Sequence, residues 1–381
     1  MDPRLRDMAE AFGRDDLARV RYLAGQVFEE ASEQSLRMAV AELVIQSYLN
    51  GGDFDRARAA AAKAGEPDAL AAVNRSETAY QAEVRRLQRM AAIARDPREA
   101  AEAQLRTAQA HQASGKWELA DVSYRKVVAR YGDLPQAGEA VVRLANMHFL
   151  ADNTDAAISA CVWAAAQEPN SSSLAENSTH KLADLCVAAR TADRGRAALH
   201  SLAERFPGTL LHAWANYHSA DLAWRTGRWE VAAEEWTQLW SGDLPARKIP
   251  LLPERLAESL YRAAYEACDR QEYEKALASY VAFADGSPSE WRRRNVSEAR
   301  LTLDTADCYA GLKQWDKVLE LVAQATKQQG ADQQADHALY LEGCAQWGLG
   351  NWDAAVHAWQ VALERYPLTE WGNKARERIR P

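Results

Sequence analysis

The segment Gly350–Pro367 reads GNWDAAVHAWQVALERYP. A glycine opens it, a tryptophan follows two residues later, an alanine at five, a second tryptophan at nine and a proline at seventeen. The same wording recurs upstream as GDFDRA from Gly52, GKWELA from Gly115, GRWEVA from Gly227 and LKQWDKV around Lys313. Weaker copies stand at Asp152, Arg190 and Gln271, and a fragment at Gly13. Taking these nine positions as anchors gives steps of 39, 63, 37, 38, 37, 44, 42 and 37 residues. A near-constant step is the signature of a repeat array rather than of independent domains.

Each offset from the anchor carries one kind of chemistry. Five residues after it stand Ala18, Ala57, Ala120, Ala157, Ala232, Ala276 and Ala355, with Gly195 and Val318 in the same place. Seven before it stand Ala108, Ala145, Ala183, Ala220, Ala264, Ala306 and Gly343, with Ile45 the exception. Small residues on both sides of a turn let two antiparallel helices approach closely. The bulky residues at the second position, Phe54, Trp117, Trp229, Tyr273, Trp315 and Trp352, read as plugs. Those at the ninth, Tyr22, Tyr124, Leu199, Trp236, Tyr280 and Trp359, read as packing between helices. Pro169, Pro207, Pro288 and Pro367 follow at seventeen, where a residue without an N–H cannot continue the second helix. Pro245 sits one residue late, and Gly132 and Gly330 terminate elsewhere.

These coincident offsets resemble the tetratricopeptide repeat, a helix–turn–helix unit, over roughly residues 36–367. Segments such as RYPLTEWGNKARERI are similar to repeats of bacterial envelope and cell-division proteins. The resemblance implies an all-α, right-handed α-α superhelix of about nine helical pairs. The expected organisation is N-terminal capping helices at 1–35, a repeat at 36–66, consecutive repeats at 96–367 and a C-terminal capping helix at 368–381. The step of 63 leaves an insert at 67–95, where Leu70, Val73, Tyr80, Val84, Leu87 and Ile93 mark one long amphipathic helix. It packs on the array as a linker, or it makes a homodimer contact. Asp96 and Pro97 read as the N-cap and first-turn proline of the next helix.

Composition narrows the function classes. The chain has 381 residues, 48% hydrophobic and 26% charged, with a net charge of −8. Such a balance suits a folded protein and disfavours a general electrostatic grip on nucleic acid. Five cysteines, widely separated and without a CxxC pair, fit neither a disulfide framework nor a zinc knuckle and point to a reducing compartment. No long apolar run suggests membrane insertion and no signal-peptide pattern opens the sequence, so the expected location is cytoplasmic; periplasmic is the alternative if a leader is missing. There is no HExxH, phosphate loop, GxSxG or dinucleotide fingerprint. The eight histidines are scattered, and His111 and His148, both four before an anchor, read as hydrogen-bonded seam residues. The basic run WRRRNVSEAR from Trp291 reads as an exposed helix start. No catalytic residue, metal site or cofactor is expected, and the chain reads as a non-enzyme.

In the family that this sequence resembles, the first helix of each repeat lines a concave groove, with side chains 13, 10, 6 and 3 residues before the anchor. In the first half these offsets hold polar residues such as Glu42, Gln46, Glu102, Gln109, Glu139 and Asn146. In the second half they hold Trp214, Tyr217, Asp221, Trp224, Tyr261, Tyr265, Asp307, Tyr340 and Trp347, an aromatic and acidic lining. The same rings also suit inter-repeat core, and both readings stay open. The family's carboxylate-clamp pattern is absent: Asn146 matches, but Val142 replaces the lysine and Asp184 would repel a carboxylate. The expected function is a scaffold that takes a protein or peptide in this groove, an extended segment with apolar and basic residues. The alternative is a sensor module that binds a small ligand or signalling peptide to control a partner.

Overall fold

The computed structural model describes residues 3–13, 17–30, 34–50, 52–65, 67–242, 249–286 and 294–379. Pro245, Pro288 and the first three residues of the basic run at Trp291 lie outside them. Among the described residues there are twenty α-helices and no strand. They fall into two compact units, Met1–Ala189 and Arg190–Pro381.

The first unit contains α1 (Pro3–Gly13), α2 (Leu17–Glu30), α3 (Gln34–Asn50), α4 (Phe54–Ala64), α5 (Pro67–Ile93), α6 (Pro97–Ala113), α7 (Trp117–Arg130), α8 (Pro135–Leu150), α9 (Thr154–Ala165) and α10 (Ser172–Ala188). The second contains α11 (Ala192–Arg205), α12 (Leu210–Arg225), α13 (Trp229–Ser241), α14 (Leu252–Asp269), α15 (Tyr273–Gly286), α16 (Glu298–Gly311), α17 (Trp315–Ala325), α18 (Ala335–Gly348), α19 (Trp352–Arg365) and α20 (Glu370–Ile379). Consecutive helices pack as hairpins in each unit.

Apart from Arg190, which opens the second unit, the anchors from Gly52 onward are the turns of these hairpins. Gly52, Gly115, Asp152, Arg190, Gly227, Gln271, Lys313 and Gly350 all have positive φ, between 55° and 85°. Gly13 does not, and Tyr22, nine residues beyond it, is 60% exposed rather than packed; residues 14–16 of that turn lie outside the described residues. The hydrogen bonds show why the left-handed residue is needed. Gly350 N–H donates to the Trp347 carbonyl (3.1 Å) and Asn351 N–H to the Gln346 carbonyl (2.9 Å). Lys313 and Gln314 repeat this onto Ala310 (3.0 Å) and Tyr309 (2.9 Å). This is the Schellman closure, in which one left-handed residue turns the chain so that two otherwise orphan carbonyls are satisfied. The residue five after the anchor then makes the first bond of the next helix, as Ala355 N–H does to the Asn351 carbonyl (3.0 Å).

Packing explains the other offsets. The small residues at five after and seven before the anchors are buried, within each unit where helices of one pair meet; the side chain of Ala18 lies outside those described. Tyr124, Leu199, Trp236, Tyr280 and Trp359, at the ninth position, are buried between them. The indole N–H of Trp236 donates to the Tyr217 carbonyl and that of Trp359 to the Tyr340 carbonyl, each at 3.2 Å and each nineteen residues back. The second-position rings behave differently from plugs. Phe54 is buried, but Trp117 and Trp352 are 50% and 54% exposed. A Cβ on Gly311 would stand 2.2 Å from the Tyr273 ring, and one on Gly348 equally close to Trp315. These two rings thus rest against a glycine at the end of the next repeat's first helix, on the rim of the stack.

The long helix expected at 67–95 is α5. Val73, Val84 and Leu87 are buried, Tyr80 packs against the Phe54 cluster, and Ile93 projects into solvent. Asp96 caps α6 by accepting from the Arg98 N–H (2.8 Å), with Pro97 in the first turn. His111 Nδ1 meets the Tyr80 hydroxyl at 2.8 Å and His148 Nε2 meets Asp121 at 2.7 Å, so both histidines are engaged at helix seams. Among the described residues no helix is long and apolar enough to cross a membrane.

Candidate binding face of the second unit

The repeat register brings the first helices α12, α14, α16, α18 and α20 into succession, and their offsets decide what each presents. On α12 the four candidate residues turn largely inward. Tyr217 is 5% exposed and lies against Trp236, while Trp214 stacks on His218 at 5.6 Å. Asp221 is buried with Arg225 Nη1 3.6 Å away, and Trp224 lies under the Arg255 guanidinium at 3.8 Å. Burial pushes the Tyr217 phenol up to about 12. Trp347 stands elsewhere, 47% exposed and edge-on to Trp352 at 4.3 Å.

The other candidates converge. Tyr265, Asp307 and Tyr340 line a cavity of about 540 Å³ built by α14, α16, α18 and α20. Tyr261 and Tyr265 line a second, of about 560 Å³, and Tyr265, Asp269 and Arg300 belong to both. The floor is a polar cluster. The Tyr261 hydroxyl donates to Asp304, and Arg300 Nε lies 3.8 Å from the same carboxylate. His337 Nε2 meets Asp307 at 2.8 Å, and its buried ring stacks on Trp371 at 3.9 Å with an interplanar angle of 3°. Lys374 covers Trp371 at 3.9 Å and pairs with Glu370 at 2.8 Å.

Electrostatics follow from burial and acid excess. Burial raises the Asp304 carboxyl above its ordinary value, although the Tyr261 hydrogen bond and the charges of His337 and Arg300 oppose this. Burial is also the main cause that raises Tyr340, whereas at the more exposed Tyr265 the first cause is Asp269. Five carboxylates, those of Asp269, Asp304, Asp307, Asp336 and Glu370, line the first cavity against two cationic side chains, Arg300 and Lys374. Donor atoms of Asp304, Asp307 and His337 lie within 4.8 Å of one another, a spacing that a cation can use. Here His337 is engaged with Asp307, and Asp304 with Tyr261 and Arg300. The arrangement sets phenol rings beside carboxylates on neighbouring helices.

His337, Arg300, Asp304, Trp371 and Lys374 were not among the sequence candidates. His337 and Arg300 stand thirteen before Gly350 and Lys313, a groove offset, and were legible by register. Asp304 falls between groove offsets, and Trp371 and Lys374 follow the last anchor.

Comparison with known families agrees with the register. One tetratricopeptide-repeat family model matches residues 105–171 and a second matches residues 337–369. No curated protein matches the chain in sequence. Similar solved structures include the Cut9–Hcn1 hetero-tetramer of APC/C (11% identity, 99% of this chain and 96% of that one, TM-score 0.34). Pilf from Pseudomonas aeruginosa (14% identity, 74% and 98%, TM-score 0.27) and yeast Tom70 (12%, 97% and 86%, TM-score 0.25) are also similar. At these scores the likenesses carry no argument about function.

Proposed function

Because the chain is a tetratricopeptide-repeat protein, we propose that it is a non-enzymatic interaction scaffold whose second unit takes a protein segment along its first-helix face. The observation that carries this reading is the pair of adjoining cavities sharing Tyr265, Asp269 and Arg300. Together they offer a continuous lining of phenol rings and carboxylates. The partner chemistry that suits it is an extended segment with apolar residues next to lysine or arginine. Apolar side chains would cover the faces of Tyr265 and Tyr340, and cations would meet Asp269, Asp307 and Asp336. The binding role belongs mainly to Tyr261, Tyr265, Asp307 and Tyr340. The inward rings of Trp214, Tyr217 and Trp224 act by holding α12 and α14 in place.

The carboxylates set selectivity and association rate more than affinity, and their contribution falls as salt screens them. The rings supply affinity: truncating a central aromatic in such a surface typically costs about 2 kcal/mol or more. Titration of the purified chain with Lys/Leu-rich and Glu/Leu-rich peptides of equal length tests the reading. Binding of the basic peptide alone, weakened by salt, supports it. Equal binding of both peptides or of neither contradicts it, and a shift in melting temperature with a small metabolite instead would favour the sensor reading.

A further inference from the structure

Cys268, on α14, stands three before its anchor, at a groove offset, and lines the 540 Å³ cavity. Cys308, on the neighbouring α16, is fully buried directly behind it, in the cluster that includes Ala264, Ala267 and Tyr280. The two side chains pack in one cluster, and each thiol is the first influence on the other's acidity. Cys308 Sγ also lies 3.6 Å from the Asp304 carbonyl. One thiol therefore faces solvent, and its partner waits within contact distance on a separate helix. That is the arrangement in which an oxidised cysteine can be resolved within one chain.

We propose that Cys268 is a site of oxidation by hydrogen peroxide and that Cys308 is its resolving thiol, joining α14 to α16. The Cys268 thiolate attacks one peroxide oxygen, the O–O bond breaks, and the hydroxide that leaves takes up the thiol proton as water. The Cys308 sulfur then attacks the sulfur of the resulting sulfenic acid. The S–O bond breaks, Cys308 gives up its proton, and a second water leaves. Two thiols lose two electrons, and one peroxide is reduced to two waters. The bond brings the two sulfurs to about 2.05 Å.

Two features favour Cys268 over the other cysteines. It lines the cavity, whereas Cys308 is fully buried behind it and Cys344 is not among the lining residues. Cys161 and Cys186 are fully buried, and burial pushes Cys161 up to about 12. The acidic wall also selects the reagent. Neutral peroxide enters without electrostatic cost, whereas an anionic oxidant or alkylating agent is repelled by Asp269, Asp304 and Asp307. This inference does not depend on the partner-binding reading and can fail or hold without it.

The test treats the intact, folded chain with stoichiometric hydrogen peroxide, blocks remaining thiols with iodoacetamide, and maps the peptides by mass spectrometry. The expected product is a Cys268–Cys308 cross-linked peptide, two hydrogens lighter and reversed by dithiothreitol, with Cys161 and Cys186 reacting about tenfold or more slowly. Cys308→Ser should leave a sulfenic acid at Cys268 that a cyclic 1,3-dione traps. Should that variant fail to fold, the cross-link in the unaltered chain decides alone. An unmodified Cys268, a cross-link to another cysteine or another chain, or equal rates at Cys268 and Cys161 would overturn the proposal.

Discussion

Trp359 lies over Gly343 so closely that a Cβ on the glycine would stand 2.3 Å from the indole nitrogen. The pair joins the small position seven before an anchor to the bulky position nine after it. The indole hydrogen bond to the Tyr340 carbonyl holds the ring there.

Gly343→Ala should therefore destabilise the second unit by about 1–3 kcal/mol, the usual cost of overpacking. Ala232→Leu and Ala355→Leu should cost a similar amount, since both alanines are fully buried. Ala59, exposed on α4, should accept leucine with little change. Thermal unfolding of the four variants checks this. Equal melting temperatures would mean that the small positions do not form the helix seams.

The left-handed turn residues make a second prediction. Lys313 adopts φ 58° in a place where other repeats use glycine. A side chain in this conformation costs on the order of 1–2 kcal/mol, so Lys313→Gly should raise stability by about 1 kcal/mol after the added chain entropy is offset. Gly350→Val, at φ 85°, should lower it. Denaturant midpoints measure both. A Lys313→Gly variant less stable than its parent would contradict the assignment of strain.

Much of this architecture was legible because a repeat states each position several times. Asp152, Arg190, Gln271 and Lys313 were placed as turn residues by register alone, although none is glycine, and all four adopt positive φ. What register could not distinguish was burial among aromatic side chains. Trp214, Tyr217 and Trp224 share their offsets with exposed residues of other repeats. Whether such a ring faces inward depends on the neighbour, as with Trp236 behind Tyr217 and Arg255 over Trp224. Trp371 was missed because no anchor follows it, so its stacking on His337 had no repeat to predict it.

Asp304 gives the floor of the candidate face a pH signature. Its folded-state pKa lies above the ordinary 3.8, chiefly through burial. A raised carboxyl binds its proton more tightly in the folded state, so its contribution is fully present below the unfolded pKa. That contribution is lost as pH rises through the folded value. Asp304→Asn should remove this loss while keeping an acceptor for the Tyr261 hydroxyl. Melting temperatures from pH 3 to 7 should therefore favour the variant increasingly towards neutral pH. A constant difference between the two proteins across that range would show that Asp304 does not titrate abnormally.

The central claim is that the second unit recognises a segment by its exposed phenols and carboxylates. A peptide-display selection on the purified chain, repeated with Tyr265→Ala and Asp307→Asn, tests it most directly. Tyr265 is 51% exposed, so its truncation should leave the melting temperature almost unchanged, whereas Tyr217→Ala serves as a core control that unfolds early. The account predicts selected sequences enriched in lysine or arginine next to apolar residues. It also predicts a loss of affinity of about tenfold or more in Tyr265→Ala and a weaker salt dependence in Asp307→Asn. Acidic or featureless selected sequences, or full affinity in a folded Tyr265→Ala protein, would contradict it.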